Sequence, residues 1–292
     1  MQTIRYLNLD CVELSNDTLS LLVTQSVGPR VISLRYQHGE NLFAELPDFI
    51  TETPAGIYHF YGGHRLWRAP EDVQTTYFPD NAPVDICPRE NGLVVTQSEA
   101  GTGLQKSIQL TLQTNGSCVQ LIHTLTNTGE EAMTLAHWAI TQFKPGGVAI
   151  LPQSTDATGL LPNRQFALWP YTDIGSPNIT WGNRYTLIHA NDMEGTLKIG
   201  FPNPRGWLAY WRGGTLFVKK AAFDANAVYY DYGSSSECYC NAQFLELETL
   251  SPVQTLQPGC SATHIETWEI FGEVETPADE ASAVRIAERF QL

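Results

Sequence analysis

Apolar and polar residues alternate one by one along much of this chain. In residues 104–113, LQKSIQLTLQ, the side chains of Leu104, Ile108, Leu110 and Leu112 fall on one face, and Gln105, Ser107, Gln109, Thr111 and Gln113 on the other. A half-buried strand has this period of two. Asn115 and Gly116 supply the positive-φ residues of a tight hairpin turn, and CVQLIHTLTN then returns with Val119, Leu121, His123 and Leu125 together. His123 is accordingly expected as a core histidine. Further strand-like runs lie at 18–24, 30–36, 92–97, 132–143, 185–190, 206–212, 215–222, 242–250 and 261–271, separated by Gly, Pro, Asn and Asp clusters.

One helix is predicted, at about 277–290. Thr276 would cap it and Pro277 would open it, with Asp279 and Glu280 at its positive end, Val284, Ala287 and Phe290 inward, and Arg285 and Arg289 late. It is expected to pack on the body as a lid. No repeat or linker divides the chain, so residues 1–292 read as one all-β domain, a large antiparallel β-sandwich with a short C-terminal helix. The longest irregular stretch, 152–184, is a natural wall for a pocket.

Composition narrows the partners. The chain has 292 residues, 42% of them hydrophobic and 16% charged, which suits a folded core rather than disorder. A formal net charge of -14 repels phosphate backbones and anionic lipid, so neither nucleic acid nor a membrane surface is an expected partner, and a neutral ligand suits it better. No apolar run approaches a membrane span, and MQTIRYLNLDCVEL lacks the features of a signal peptide, so a cytoplasmic protein is expected, monomeric or a weak homodimer. Six cysteines are too sparse for a disulfide framework. Cys238 and Cys240 would share a strand face, yet without CxxC or histidine partners they read as packing residues rather than metal ligands, and no metal or cofactor is expected.

Three stretches carry candidate chemistry. YGGHRLWRAPE, residues 61–71, places His64, Arg65 and Trp67 behind two glycines that allow unusual backbone angles. A sugar fits such a surface, its C–H face on the aromatic ring and its hydroxyls on the imidazole and guanidinium. The alternative is a Gly-rich turn whose arginines pair with Glu71 and Asp72 at the surface. In FLELETLSP, residues 244–252, alternation points Glu246 and Glu248 the same way, about 6.6 Å apart. Crowding in a cavity would raise the pKa of one of them, whereas a solvated strand face would leave both ordinary. In LAHWAITQF, residues 135–143, His137 faces opposite to Ala136, Trp138 and Ile140.

In order, these stretches resemble the galactose mutarotase-like superfamily of aldose 1-epimerases. The likeness runs through VGPRVISLRYQHGENLF at 27–43, HTLTNTGEEAMTLAHWAITQF at 123–143 and ELETLSPVQTLQPGCSATHIETWEIF at 246–271. The resemblance implies His137 in the place of the family's catalytic histidine and Glu248 in that of its glutamate. Arg65, and after it His64, matches a substrate-binding position of the family, while Trp67, Glu246 and Lys219 are expected as further contacts to the sugar from the residues themselves. The family's His-Gly-Gly loop is missing, and Trp-Ala-Ile-Thr follows His137 where relatives have Tyr-Phe-Asn-Leu. The implied activity interconverts α and β anomers of an aldose without a cofactor, Glu248 taking the C1 hydroxyl proton and His137 protonating the ring oxygen. A carbohydrate-binding protein without turnover is the alternative. Glycosidase chemistry fits poorly, because Glu246 and Glu248 project from one strand side by side. A phosphosugar reading would need Arg30, Arg65 and Arg68 to gather on a phosphate.

Overall fold

The computed structural model describes residues 3–99 and 101–292. Its strands are β1 (Thr3–Tyr6), β2 (Leu9–Ser15), β3 (Leu19–Thr24), β4 (Arg30–Tyr36), β5 (Glu45–Thr53), β6 (Gly56–Ala69), β7 (Asp85–Arg89), β8 (Gly92–Glu99), β9 (Leu104–Leu112), β10 (Cys118–Asn127) and β11 (Met133–Phe143). They continue with β12 (Val148–Pro152), β13 (Ala167–Leu168), β14 (Ile179–Thr180), β15 (Tyr185–His189), β16 (Leu197–Phe201), β17 (Trp207–Arg212), β18 (Thr215–Ala221), β19 (Ser236–Cys240), β20 (Leu245–Leu250), β21 (Gln254–Leu256) and β22 (Ser261–Phe271).

Two antiparallel sheets share these strands. The first runs β1-β2-β3-β4-β6-β11-β20-β19-β16-β13, with β5 on β6 and β21 on β11; the second runs β14-β15-β12-β17-β18-β22-β10-β9-β8-β7. The fold is therefore the expected large β-sandwich. Between the sheets, alternate positions of each strand meet: in β9 every second residue from Leu104 to Leu112 is buried, Lys106 included, because its ammonium pairs with Glu99. Phe43, Phe143, Phe217 and Trp268 interlock edge to face at the centre. Cys238 and Cys240 pack there as free thiols.

The stretch 61–71, for which a Gly-rich turn was the alternative to a sugar-binding surface, is mostly strand. Tyr61, Gly62 and Gly63 have φ of 55°, 93° and 73°, and bend β6 so that its first part pairs with β5 and its second with β4 and β11. A Cβ on Gly62 would lie 1.9 Å from the Ala44 carbonyl oxygen, so the residue answers to close approach as well as to angle.

The terminal helix spans Glu280–Phe290, starting three residues later than predicted and ending where expected. Its cap is Asp279, whose carboxylate accepts from the Ser282 N–H while the Ser282 hydroxyl accepts from the Asp279 N–H. The reciprocal pair out-competes Thr276 and Pro277. Ala283, Ile286 and Ala287 bury against Val148, Ile150, Leu187, Ala209 and Val218, the outer face of the second sheet. The helix thus covers that sheet and is not a lid over the cleft described next. No helix among the described residues is long and apolar enough to cross a membrane.

Candidate functional site

The register across the first sheet sets Arg65 of β6 opposite Ile140 of β11, Ile140 opposite Glu248 of β20, and Glu248 opposite Glu237 of β19. One row over, Gln142, Glu246 and Tyr239 stand in line, and Tyr239 is opposite Lys198 of β16. Directly opposed residues share a face, here the outer one. A cleft of about 420 Å³ lies on that face, lined by Arg65, Trp67, Trp138, Lys198, Glu246 and the rings of Phe49, Phe60, Tyr77, Tyr171, Tyr239 and Phe244. Tyr171 comes from the loop 152–184.

Charges in the cleft are held in pairs against rings. The Arg65 guanidinium donates to Glu246 Oε1 at 3.1 Å and lies 4.2 Å from the centre of the Trp67 ring. Trp67 is fixed in turn by donating its indole N–H to the Tyr58 hydroxyl at 2.8 Å. The Lys198 ammonium sits 2.7 Å from Glu237 and 3.0 Å from Glu248, between the faces of Trp138 and Trp169 at 4.5 and 4.6 Å. Trp138 also donates its indole N–H to Glu248 Oε2 at 2.6 Å.

Burial and like charge act on these carboxyls. Desolvation raises the Glu246 pKa to about 7, Arg65 opposing the rise and Glu248 adding to it. Desolvation likewise holds Glu237 well above the usual carboxylate range, although Lys198 pulls it down. Lys198 loses solvation too, yet its two glutamates keep it charged and raise its pKa.

Of the residues expected at the site, the structure brings together Arg65, Trp67, Glu246 and Glu248. Glu248 is fully buried under Lys198 and Trp138, so Glu246 is the glutamate of the β20 pair that faces the cleft. His137, His64 and Lys219 are not with them. Each falls on the opposite face of its strand and points between the sheets.

His137 is wholly buried; its Nε2–H donates to the Ala262 carbonyl and its Nδ1 lies 3.1 Å from the Ser251 hydroxyl. Burial drives its pKa to about 3, with His264 nearby adding to the effect. The expected meeting of His137 and Glu248 therefore does not occur, and the β11 side chain that reaches Glu248 is Trp138.

His64 bonds Thr141 at 2.9 Å and His123 at 2.8 Å. His123 Nδ1–H must donate to the His264 carbonyl, so His123 Nε2 accepts from His64 Nε2–H, and His64 Nδ1 accepts from the Thr141 hydroxyl. Lys219 pairs with Glu266 at 3.0 Å and donates to the carbonyls of Ala139 and Leu247. Every donor of these three side chains is committed inside the sandwich. His64, His123 and Glu266 lie close enough to suggest a metal site, but imidazole–imidazole bonding and the Lys219 charge already satisfy them.

Lys198, Glu237 and the aromatic residues beyond Trp67 were not among the expected contacts. Strand parity could have flagged Trp138, which must face opposite to His137. A lone lysine between Leu197 and Ile199 was the signal for Lys198.

No family model and no curated protein sequence matches the chain. Solved structures do. The Slr1438 protein from Synechocystis sp. PCC 6803 superposes with a TM-score of 0.60 at 12% identity, covering 94% of this chain and 100% of that one. A galactose mutarotase-like protein from Lactobacillus casei gives 0.56 at 14% identity over 89% and 100%. The chain has the galactose mutarotase-like fold. A candidate aldose 1-epimerase from Klebsiella pneumoniae gives 0.59 at 12% identity over 97% and 83%. At such identity the likeness is one of backbone, and the chemistry rests on the side chains of the cleft in this chain.

Proposed function

We propose that this protein binds a sugar in the cleft on the outer face of its first sheet. The observation that supports this most is the placing of the Arg65–Glu246 pair and Lys198 among aromatic rings. Rings take the C–H faces of a pyranose, and fixed donors and acceptors take its hydroxyls.

Binding without turnover is favoured over anomer exchange. Exchange needs a base at the C1 hydroxyl and an acid at the ring oxygen. Glu246 qualifies as the base, since its pKa of about 7 is near neutrality. The acid is harder to supply. Tyr77 and Tyr171 are pushed well above their ordinary range by burial, and Lys198 is held protonated by its glutamates. His137 is on the far side of β11.

Calorimetry against a panel of aldoses, with polarimetry on the same samples, tests this. At least one aldose should bind, and Glu246→Gln should weaken it about tenfold, the ~1.4 kcal/mol of a charged hydrogen bond. Absence of binding across the panel overturns the proposal. Accelerated anomer exchange that disappears in Glu246→Gln replaces it with the epimerase reading.

A further inference from the structure

Resting on the sugar reading, we infer that the cleft selects its ligand by charge, taking amine-bearing sugars in preference to neutral ones and rejecting phosphorylated ones. Each cation near the cleft is paired, buried or turned to the other face. Arg30 is fully buried and donates to Asp80 at 2.9 Å and to the Phe60 and Gly62 carbonyls. Arg65 gives one nitrogen to Glu246 while its Nε and Nη1 are buried without a partner, and Lys198 is held by Glu237 and Glu248 together. Arg68 alternates to the face opposite Arg65, and Lys219 lies between the sheets. The arginines that a phosphosugar would need do not converge.

Carboxyls, in contrast, are in excess. Glu237, Glu246 and Glu248 face Arg65 and Lys198 alone, and Glu71 stands at the rim, where it accepts from the Tyr77 hydroxyl at 2.5 Å. Glu237 Oε1 and Glu248 Oε1 are buried with no hydrogen-bond partner. An anion entering this poorly solvated site would meet cations already paired and would crowd Glu246 toward its neutral form, and the chain's net charge of -14 adds a long-range repulsion.

The cleft also shows how it holds a cation. Lys198 is clasped between two indole faces and two carboxylates, and Arg65 between Trp67 and Glu246. Glu246 has the stacked rings of Tyr239 and Phe244 beside it, 5.6 Å apart, and both rings line the cleft. An ammonium on the sugar placed there would meet a carboxylate and ring faces in the same way. A cation would also favour the ionised form of Glu246.

The test uses matched trios: glucose, galactose and mannose, each as the free sugar, the 2-amino sugar and the 6-phosphate, titrated calorimetrically into the whole protein. The amino form should bind at least fivefold tighter than its parent, and the phosphate at least tenfold weaker. Glu246→Gln, checked for folding by thermal melting, should bring amino and parent forms to within about twofold. Should that variant not fold, the wild-type trio decides. Equal affinities within a trio, or a phosphate that binds tighter than its parent, overturn the inference and leave the sugar reading intact. Failure of all nine compounds to bind removes both.

Discussion

Lys219 shows how a charge can be held without water. Its side chain has no exposed surface, and its ammonium is shared by Glu266 and two backbone carbonyls. Glu266 in turn accepts from Thr249 and, at 2.9 Å, from the Trp268 indole, and despite burial the Lys219 ammonium pulls its pKa far down. Removing one partner of such a pair leaves the other buried and uncompensated, at a cost of about 3–5 kcal/mol. Lys219→Met should lower unfolding free energy by that amount in urea denaturation. A loss below ~1 kcal/mol would mean that Lys219 is not the structural residue described here.

At the scale of elements, β6 carries the greatest conformational demand. Three successive positive-φ residues turn the strand from its pairing with β5 to its pairing with β4 and β11, and it is this turn that aims Arg65 and Trp67 outward and His64 inward. Gly62→Ala would meet both the unfavourable φ and the Ala44 carbonyl oxygen. Gly159, with φ of 67° and nothing within 4 Å, supplies the comparison. Gly62→Ala should cost more than about 3 kcal/mol and Gly159→Ala about 1 kcal/mol, by thermal or urea unfolding. Equal losses would show that the close approach does not matter.

At the scale of the whole molecule, buried histidines from both sheets couple stability to pH. His64, His123, His137 and His264 are neutral in the fold; desolvation takes His123 to about 4 and His137 and His264 to about 3, and places His64 well below its ordinary value. In the unfolded chain they protonate near 6.5. Between these values the unfolded state binds more protons, so stability falls as pH falls, by up to ~1.4 kcal/mol per histidine per pH unit. Glu237 and Glu246 act oppositely, because a raised carboxyl favours the fold as pH drops. Four histidines against these two glutamates and Asp231, whose pKa burial also raises, leave a net acid sensitivity. The urea midpoint should fall from pH 6.5 to pH 4.5 while the four imidazoles remain unprotonated by NMR. A flat midpoint would contradict the assignment.

Period-two alternation on its own determined the all-β sandwich, most of its long strands and the hairpin of β9 and β10, because a strand that buries one face records that choice at every second residue. Alternation also placed Glu246 and Glu248 on one face, and His137 opposite to Trp138. What it could not say was which face looked into the core and which into the cleft, for both sides of β6, β11 and β20 are buried and both carry polar groups. That was decided by the second sheet, which covers one side of the first and turns His64, His137 and Lys219 into structural residues. Pairing of β16, β19, β20, β11 and β6 then brought Lys198, Glu237, Glu246 and Arg65 together across more than 180 positions of chain. Contacts between residues so far apart depend on strand order, which no local pattern of side chains encodes.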